Sequence, residues 1–170
     1  MADRDLTDLA RTIIDANVYL TMATVDRDGL PWAAPVFFAA RDYREYYWMS
    51  SPDATHSRNL AGQPRVSIVV FDSRQPPGTG HAVYLSAAAE EVDGADLDRA
   101  LEVYPGPADR GGKALPAADF RTPAPWRLYR ATATGAWVLC PRQLTDAGER
   151  ICARHGRAYD HRTEVTLFGG

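Results

Sequence analysis

Leu6, Leu9, Ala10, Ile13 and Ile14 recur at three- and four-residue spacing, the stripe of an amphipathic helix with one face on a core. The spacing predicts a first helix ending near Asn17, with Asp3 or Asp5 as its cap. The period then changes. Val18 to Val25 is β-branched and aromatic and stops at Asp26-Arg27-Asp28-Gly29, and Asp-Gly between two such runs predicts a hairpin. Its return strand runs from Leu30 to Ala40. Pro35 within it has no N–H for a ladder, so the strand lies at an edge or is bulged there. After a turn at Asp42-Tyr43-Arg44 come a strand over Glu45 to Ser50 and a helix from about Asp53, its cap, to Ala61. Gly62-Gln63-Pro64 stops that helix, and Arg65 to Phe71 is a strand with Val66, Ile68 and Val70 on one face.

The loop from Asp72 to Gly80 is too rich in proline and glycine for regular structure. Its Gly78-Thr79-Gly80 is neither a P-loop nor a dinucleotide-binding turn, because the residues that complete those motifs are missing. His81 to Val92 reads as a fifth strand, and Asp93 caps a helix carrying Leu97, Ala100, Leu101 and Tyr104. Residues 105–125 form a proline-rich excursion, and Trp126 to Cys140 a long strand with Leu128 and Tyr129 on opposite faces. In the tail, Asp146 and Glu149 have capping-box spacing, which predicts a short helix ending at Gly156; Val165 to Phe168 reads as a last strand. The fold class is mainly β (α+β). Strands joined by tight turns form an antiparallel sheet, and six of them in this length close into a small barrel with flanking helices. One domain is expected over residues 1–170, with 141–170 as a C-terminal extension.

Composition narrows the function. A hydrophobic fraction of 45% with 24% charged residues is that of an ordinary globular domain. A net charge of −3 removes any general electrostatic case for nucleic acid or an anionic membrane. Cys140 and Cys152 make no disulfide framework. The acidic start lacks the basic and apolar regions of a signal peptide, and no apolar run reaches membrane-spanning length, so a cytoplasmic setting is expected.

The chemistry candidates are few. Cys140, Cys152, His155 and His161 match no compact zinc spacing, and Cys152-x-x-His155 alone is insufficient, so no metal site is expected. There is no nucleophile elbow, and Glu90 and Glu91 alternate across a strand. The stretch Tyr46 to Leu60 is more informative. A strand ending in Ser50-Ser51 feeds a helix start carrying His56, Ser57, Arg58 and Asn59, which suits an anion; it also reads as a capped surface helix. Trp32, Phe37, Phe38, Tyr46, Tyr47, Trp48, Trp126, Tyr129 and Trp137 supply core, interface or stacking surface. An anion grip beside aromatic surface points to a phosphorylated planar cofactor such as FMN, which brings its own reactivity and accounts for the missing acid–base constellation.

From Leu6 to Leu139 the chain resembles the pyridoxamine 5'-phosphate oxidase-like family, the FMN-binding split barrels. The resemblance rests on Ala23-Thr24-Val25, Asp28-Gly29-Leu30-Pro31, Pro35-Val36-Phe37-Phe38, His56 to Leu60, Gln63 to Ser67 and Trp126 to Arg130, in that order. It implies a six-stranded antiparallel split β-barrel and a homodimer with cofactor at the subunit interface. It implies that Pro35, Val36 and Phe37 lie along the flavin ring, that Ser50, Ser51, His56, Ser57, Arg58 and Asn59 hold the phosphate, and that His81 touches the ring. Trp126 would approach the cofactor from the partner chain, with Arg127 and Tyr129 approaching substrate. The activity implied is FMN-dependent oxidoreduction of a small molecule. Tyr129 stands where the vitamin-processing enzymes have histidine, Ala131 where they have a second arginine, and Ala34 and Ala39 where they have arginine and lysine, which argues against that one reaction. An F420-dependent reductase of the same fold is the alternative cofactor choice. A non-catalytic flavin- or haem-binding protein, with His56, His81, His155 or His161 as axial ligand, is the alternative of another class.

Overall fold

The computed structural model describes residues 3–169, with side chains described from residue 5 onward. Helix α1 (Asp3–Ala16) leads into strands β1 (Tyr19–Val25), β2 (Pro31–Phe37), β3 (Ala39–Arg41) and β4 (Glu45–Ser50). Then follow α2 (Thr55–Gly62), β5 (Arg65–Phe71), β6 (Ala82–Val92), α3 (Gly94–Leu101) and β7 (Arg127–Leu139). The tail carries β8 (Arg142–Leu144), β9 (Arg150–Cys152) and β10 (Arg162–Glu164). The Asp3 cap falls outside the described side chains, and Asp5 lies inside the first turn of α1 rather than before it.

The main sheet is antiparallel, in the order β2-β1-β5-β6-β7-β4-β3, with β10 added against β7. Its curled path therefore has seven strands where the sequence reading expects six. The seventh comes from the run expected as one strand over Leu30 to Ala40. That run breaks at Phe38: its first part pairs with β1, its second with β4. Phe38 is fully buried and its N–H donates to the Val18 carbonyl at 3.1 Å. The two edge strands are thus neighbours in the chain, one residue apart. A sheet whose first and last strands are joined by a single residue has to curl until its edges approach, which makes the split barrel. Pro35 lies on edge strand β2, one of the two expected outcomes. The other, a bulge there, is absent: the β1–β2 register runs unbroken from Tyr19↔Phe37 to Val25↔Pro31. The ladder shifts instead between Ser86 and Ala87 on β6.

Two apolar clusters hold the fold. Inside the barrel, Leu20, Met22, Phe38, Tyr46, Trp48, Ile68, Leu85 and Val138 pack with Leu6, Ala10 and Ile14 of α1. Outside it, Tyr47 and Leu128 pack with Leu97 and Ala100 of α3 and with Tyr104 and Phe120. β4 is covered on both faces, so it reads as a near-continuous apolar run. Leu128 and Tyr129 face opposite clusters, as alternation requires.

The excursion after α3 is a brace with two 3₁₀ turns, Ala108–Arg110 and Ala117–Phe120. Arg110 donates to the carbonyls of Asp15 (3.1 Å), Asn17 (2.7 Å) and Phe38 (3.2 Å), hooking the arm over the junction of α1 with the barrel edge.

The tail differs from expectation. Residues 142–152 form a hairpin, not a helix: Thr145 N–H donates to Glu149 O at 2.8 Å, and Gly148 takes a left-handed φ of 80°. A glycine free to adopt that conformation closes a turn more readily than it continues a helix. The last strand is Arg162–Glu164; beyond it Val165 and Leu167 are buried in the barrel cluster, and the Val165 N–H donates to the Ala136 carbonyl of β7 at 3.0 Å. Among the described residues no helix is long and apolar enough to cross a membrane.

Candidate functional site at the start of the second helix

β4 delivers Ser50 and Ser51 to the start of α2. Ser50 is buried, and its Oγ shares a 2.8 Å hydrogen bond with Nε2 of His56. The Ser51 hydroxyl accepts the N–H of Asp53 at 3.2 Å. The helix starts at Thr55, not at Asp53, and its cap position is Ala54, which offers no side-chain acceptor. The N–H groups of the first turn are therefore left without a capping partner, the condition in which a helix start attracts an anion. Arg58 folds back along this turn, donating to the Asp53 carbonyl and, at 3.4 Å, to Thr55 Oγ1. Its guanidinium is held at the helix start while staying exposed.

Electrostatics adds detail. Burial pushes the His56 pKa below its ordinary value, so the imidazole is neutral at pH 7. Ser57 is buried, and its hydroxyl faces the Tyr129 phenol. With Arg58, Pro52, Tyr129, Glu90 and Glu91 it lines a cleft of about 450 Å³. Burial raises the Tyr129 phenol pKa, and its ring stacks on Trp48 with centroids 5.6 Å apart.

Asn59 turns inward. Its Nδ2 donates to Thr24 Oγ1 at 3.0 Å in the buried interior, tying α2 to β1. Arg127 sits across the ladder from Ser50, yet its guanidinium is committed locally. It donates to the carbonyls of Ala124 (2.7 Å) and Trp126 (2.6 Å) and to Thr122 Oγ1 (2.7 Å), and pairs with Glu91 at 3.3 Å. Trp126 beside it is 41% exposed. On β2, Val36 points into the barrel, whereas Phe37 is half-buried, edge-on to Tyr19 and Tyr104. Pro35 is exposed, and β2 pairs only with β1, which leaves its outer backbone edge open.

His81 stands apart. It precedes β6, where Val83 pairs with Val138, while Ser50 pairs with Arg127 at the far end of β7. Nine ladder steps separate Val83 from Val92, roughly 30 Å at strand rise. His81 has a buried Nδ1 without a partner and lines a cleft of about 550 Å³ with Phe71, Tyr84 and Arg142. One chain therefore gathers Ser50, Ser51, His56, Ser57, Arg58 and Tyr129, and keeps His81 at the other end.

Thr55 and Thr24 are the members that the sequence reading missed. Thr55 had a signal, a hydroxyl three residues before Arg58 on one helix face; Thr24, a strand away, had none.

The pyridoxamine 5'-phosphate oxidase family model matches residues 6–140. No curated protein gives a significant match. Among solved structures, a haem-binding protein from Mycobacterium smegmatis is similar with a TM-score of 0.60 and 22% identity, over 95% of this chain and 58% of that one. This chain thus spans little more than half of the mycobacterial protein. The haem storage protein HutZ from Vibrio cholerae has a TM-score of 0.55 and 20% identity, over 74% of this chain and 89% of that one. An F420 reductase has a TM-score of 0.52 and 21% identity, over 75% of this chain and 94% of that one. Identities this low carry the fold alone. The curled antiparallel sheet and a family match over residues 6–140 lead to one assignment: the chain belongs to the pyridoxamine 5'-phosphate oxidase family.

Proposed function

We propose that this protein is an FMN-dependent oxidoreductase acting on a small molecule, with the phosphate of FMN held at the start of α2. The observation that carries the reading is the uncapped first turn beside Ser50, Ser51, His56, the buried Ser57 and the folded-back Arg58. Hydroxyls, free N–H groups and one cation are the donor set a phosphate needs. Bound flavin supplies the redox chemistry. The chain's part is to bind and orient: Arg58 and the helix start fix the phosphate, the open edge of β2 offers backbone groups to the ring, and Trp126 offers a flat surface.

The active form in this reading is a homodimer. Across the outer sheet face Pro35, Thr21, Val69, Tyr84 and Trp137 stand in one register row, and Tyr19 pairs with Phe37 beside them. Tyr19 is 59% and Phe71 45% exposed on that face, an apolar surface suited to a second copy. A second copy is also the simplest way to bring the His81 end of one chain to the α2 end of another.

Titration of the purified protein with FMN, followed by flavin absorbance and fluorescence, tests the reading. It is expected to take up one FMN per chain; failure to bind FMN overturns it. Two other cofactors are measured alongside. F420 is disfavoured because the cations beside α2, Arg58 and Arg27, share their cleft with Asp26 and Asp28, a poor seat for a long anionic tail. Haem is favoured by the neutral state of His56, but that ring's Nε2 is occupied by Ser50. A Soret band lost in His56→Ala, with no FMN uptake, would replace flavin by haem.

A further inference from the structure

The tail gathers chemistry of its own. Cys140 directly follows β7, Cys152 ends β9, and His155 follows Cys152 by one tight turn. That turn is closed by the Gly156 N–H on the Cys152 carbonyl and the Cys152 N–H on the Arg157 carbonyl, both at 2.8 Å. It swings the imidazole over both sulfurs. Nδ1 of His155 lies 3.1 Å from Cys152 Sγ and 3.9 Å from Cys140 Sγ, and all three atoms fall within 4.8 Å of one another.

Those separations have a chemical meaning. A tetrahedral zinc ion with bonds of about 2.3 Å to sulfur and 2.0–2.1 Å to nitrogen holds S and N about 3.6 Å apart. The two observed S···N distances bracket that value. Each sulfur also has a further hydrogen-bond partner: the His155 backbone N–H donates to Cys152 Sγ at 3.3 Å, and Thr163 Oγ1 lies 3.0 Å from Cys140 Sγ. Both thiols are buried and His155 is exposed, so the open side of the cluster faces solvent. His161 stacks on His155 at 4.4 Å and has a buried Nε2 with no partner.

We propose that Cys140, Cys152 and His155 bind one zinc-class divalent cation, with water in the fourth position, and that the ion clamps the C-terminal hairpin to the end of β7. Binding exchanges two thiol protons for two sulfur–metal bonds, the protons leaving to solvent, so affinity rises with pH. Sequence spacing hides the site because its ligands come from two segments that only β7 and the β8–β9 hairpin bring together. The clamp is independent of the flavin reading.

The test uses the full chain, reduced and stripped with a chelator, titrated with Co²⁺ and then with Zn²⁺. Expected are one Co²⁺ per chain, a thiolate-to-cobalt charge-transfer band with tetrahedral d–d absorption, and displacement by Zn²⁺. Cys152→Ser should abolish the charge-transfer band or halve it, His155→Ala should weaken Zn²⁺ at least tenfold, and Zn²⁺ should slow proteolysis of residues 141–160. Absence of the band in the reduced wild-type protein overturns the proposal without recourse to any variant. So does a band that survives both Cys140→Ser and Cys152→Ser.

Discussion

Arg58 and His56 divide one task at the start of α2, and they differ in how charge reaches it. Arg58 brings a guanidinium with forked donors, whereas His56 is held neutral by its burial. Hydrogen bonds to charged groups contribute about 1.5–3 kcal/mol, so Arg58→Ala should weaken FMN by roughly 10- to 100-fold in a fluorescence titration. His56 makes affinity depend on pH. Because its folded pKa lies below the ordinary value, stability tied to the neutral ring is complete above about pH 6.5 and is lost as pH falls through the lowered pKa. A bound phosphate favours the protonated ring instead. Lowering the pH should therefore destabilise the cofactor-free protein while tightening FMN, and His56→Gln should flatten both trends relative to wild type. Asn59 belongs to a different class. Its bond to Thr24 is buried, so Asn59→Ala should lower unfolding free energy by about 1–3 kcal/mol in denaturant titration. Its effect on FMN affinity should be smaller than that of Arg58→Ala. The sequence placed all three side chains in one short segment; the direction in which Asn59 points came from β1, a partner 35 residues away.

At the scale of elements, the arm after α3 is the piece with most leverage on the barrel edge. A Cβ on Gly112 would meet Pro105 Cβ at 2.6 Å and Phe37 Cζ at 2.8 Å, both in packed positions. Gly112→Ala should cost about 1–3 kcal/mol by overpacking, read as a lower denaturation midpoint. Arg110→Ala removes three bonds from the arm to the α1–barrel junction, and proteolysis within residues 105–125 should become faster while the barrel stays intact. Legibility varied by element in a physically consistent way. The strands Glu45–Ser50 and Arg65–Phe71 matched their expected spans, because alternation or a continuous apolar run marks them locally. The break at Phe38 was not legible, because the run Val36-Phe37-Phe38-Ala39 is apolar throughout and only barrel closure decides where it changes partner. The expected tail helix failed for a related reason: capping-box spacing is local, while β8 exists only by pairing with β9.

At the scale of the whole molecule, the exposed sheet face carries the quaternary prediction. Phe71→Glu puts a charge on that apolar face, at the end of β5. In light scattering coupled to gel filtration, wild type should elute as a dimer and Phe71→Glu should shift to monomer. FMN binding should weaken with it, since the His81 end then has no second α2 to meet.

The sequence by itself determined the antiparallel β class, the order of most elements and the family, over almost the same residues as the family match. These follow from side-chain period, turn residues and ordered short motifs, all of which are local. Only the tertiary structure decided the strand count, the inward turn of Asn59, the local commitment of Arg127, the separation of His81 from α2, and the meeting of Cys140, Cys152 and His155. Each depends on which strands become neighbours when the barrel closes, and that choice is made by the shared burial of Phe38, Tyr46, Trp48 and α1, not by any one segment.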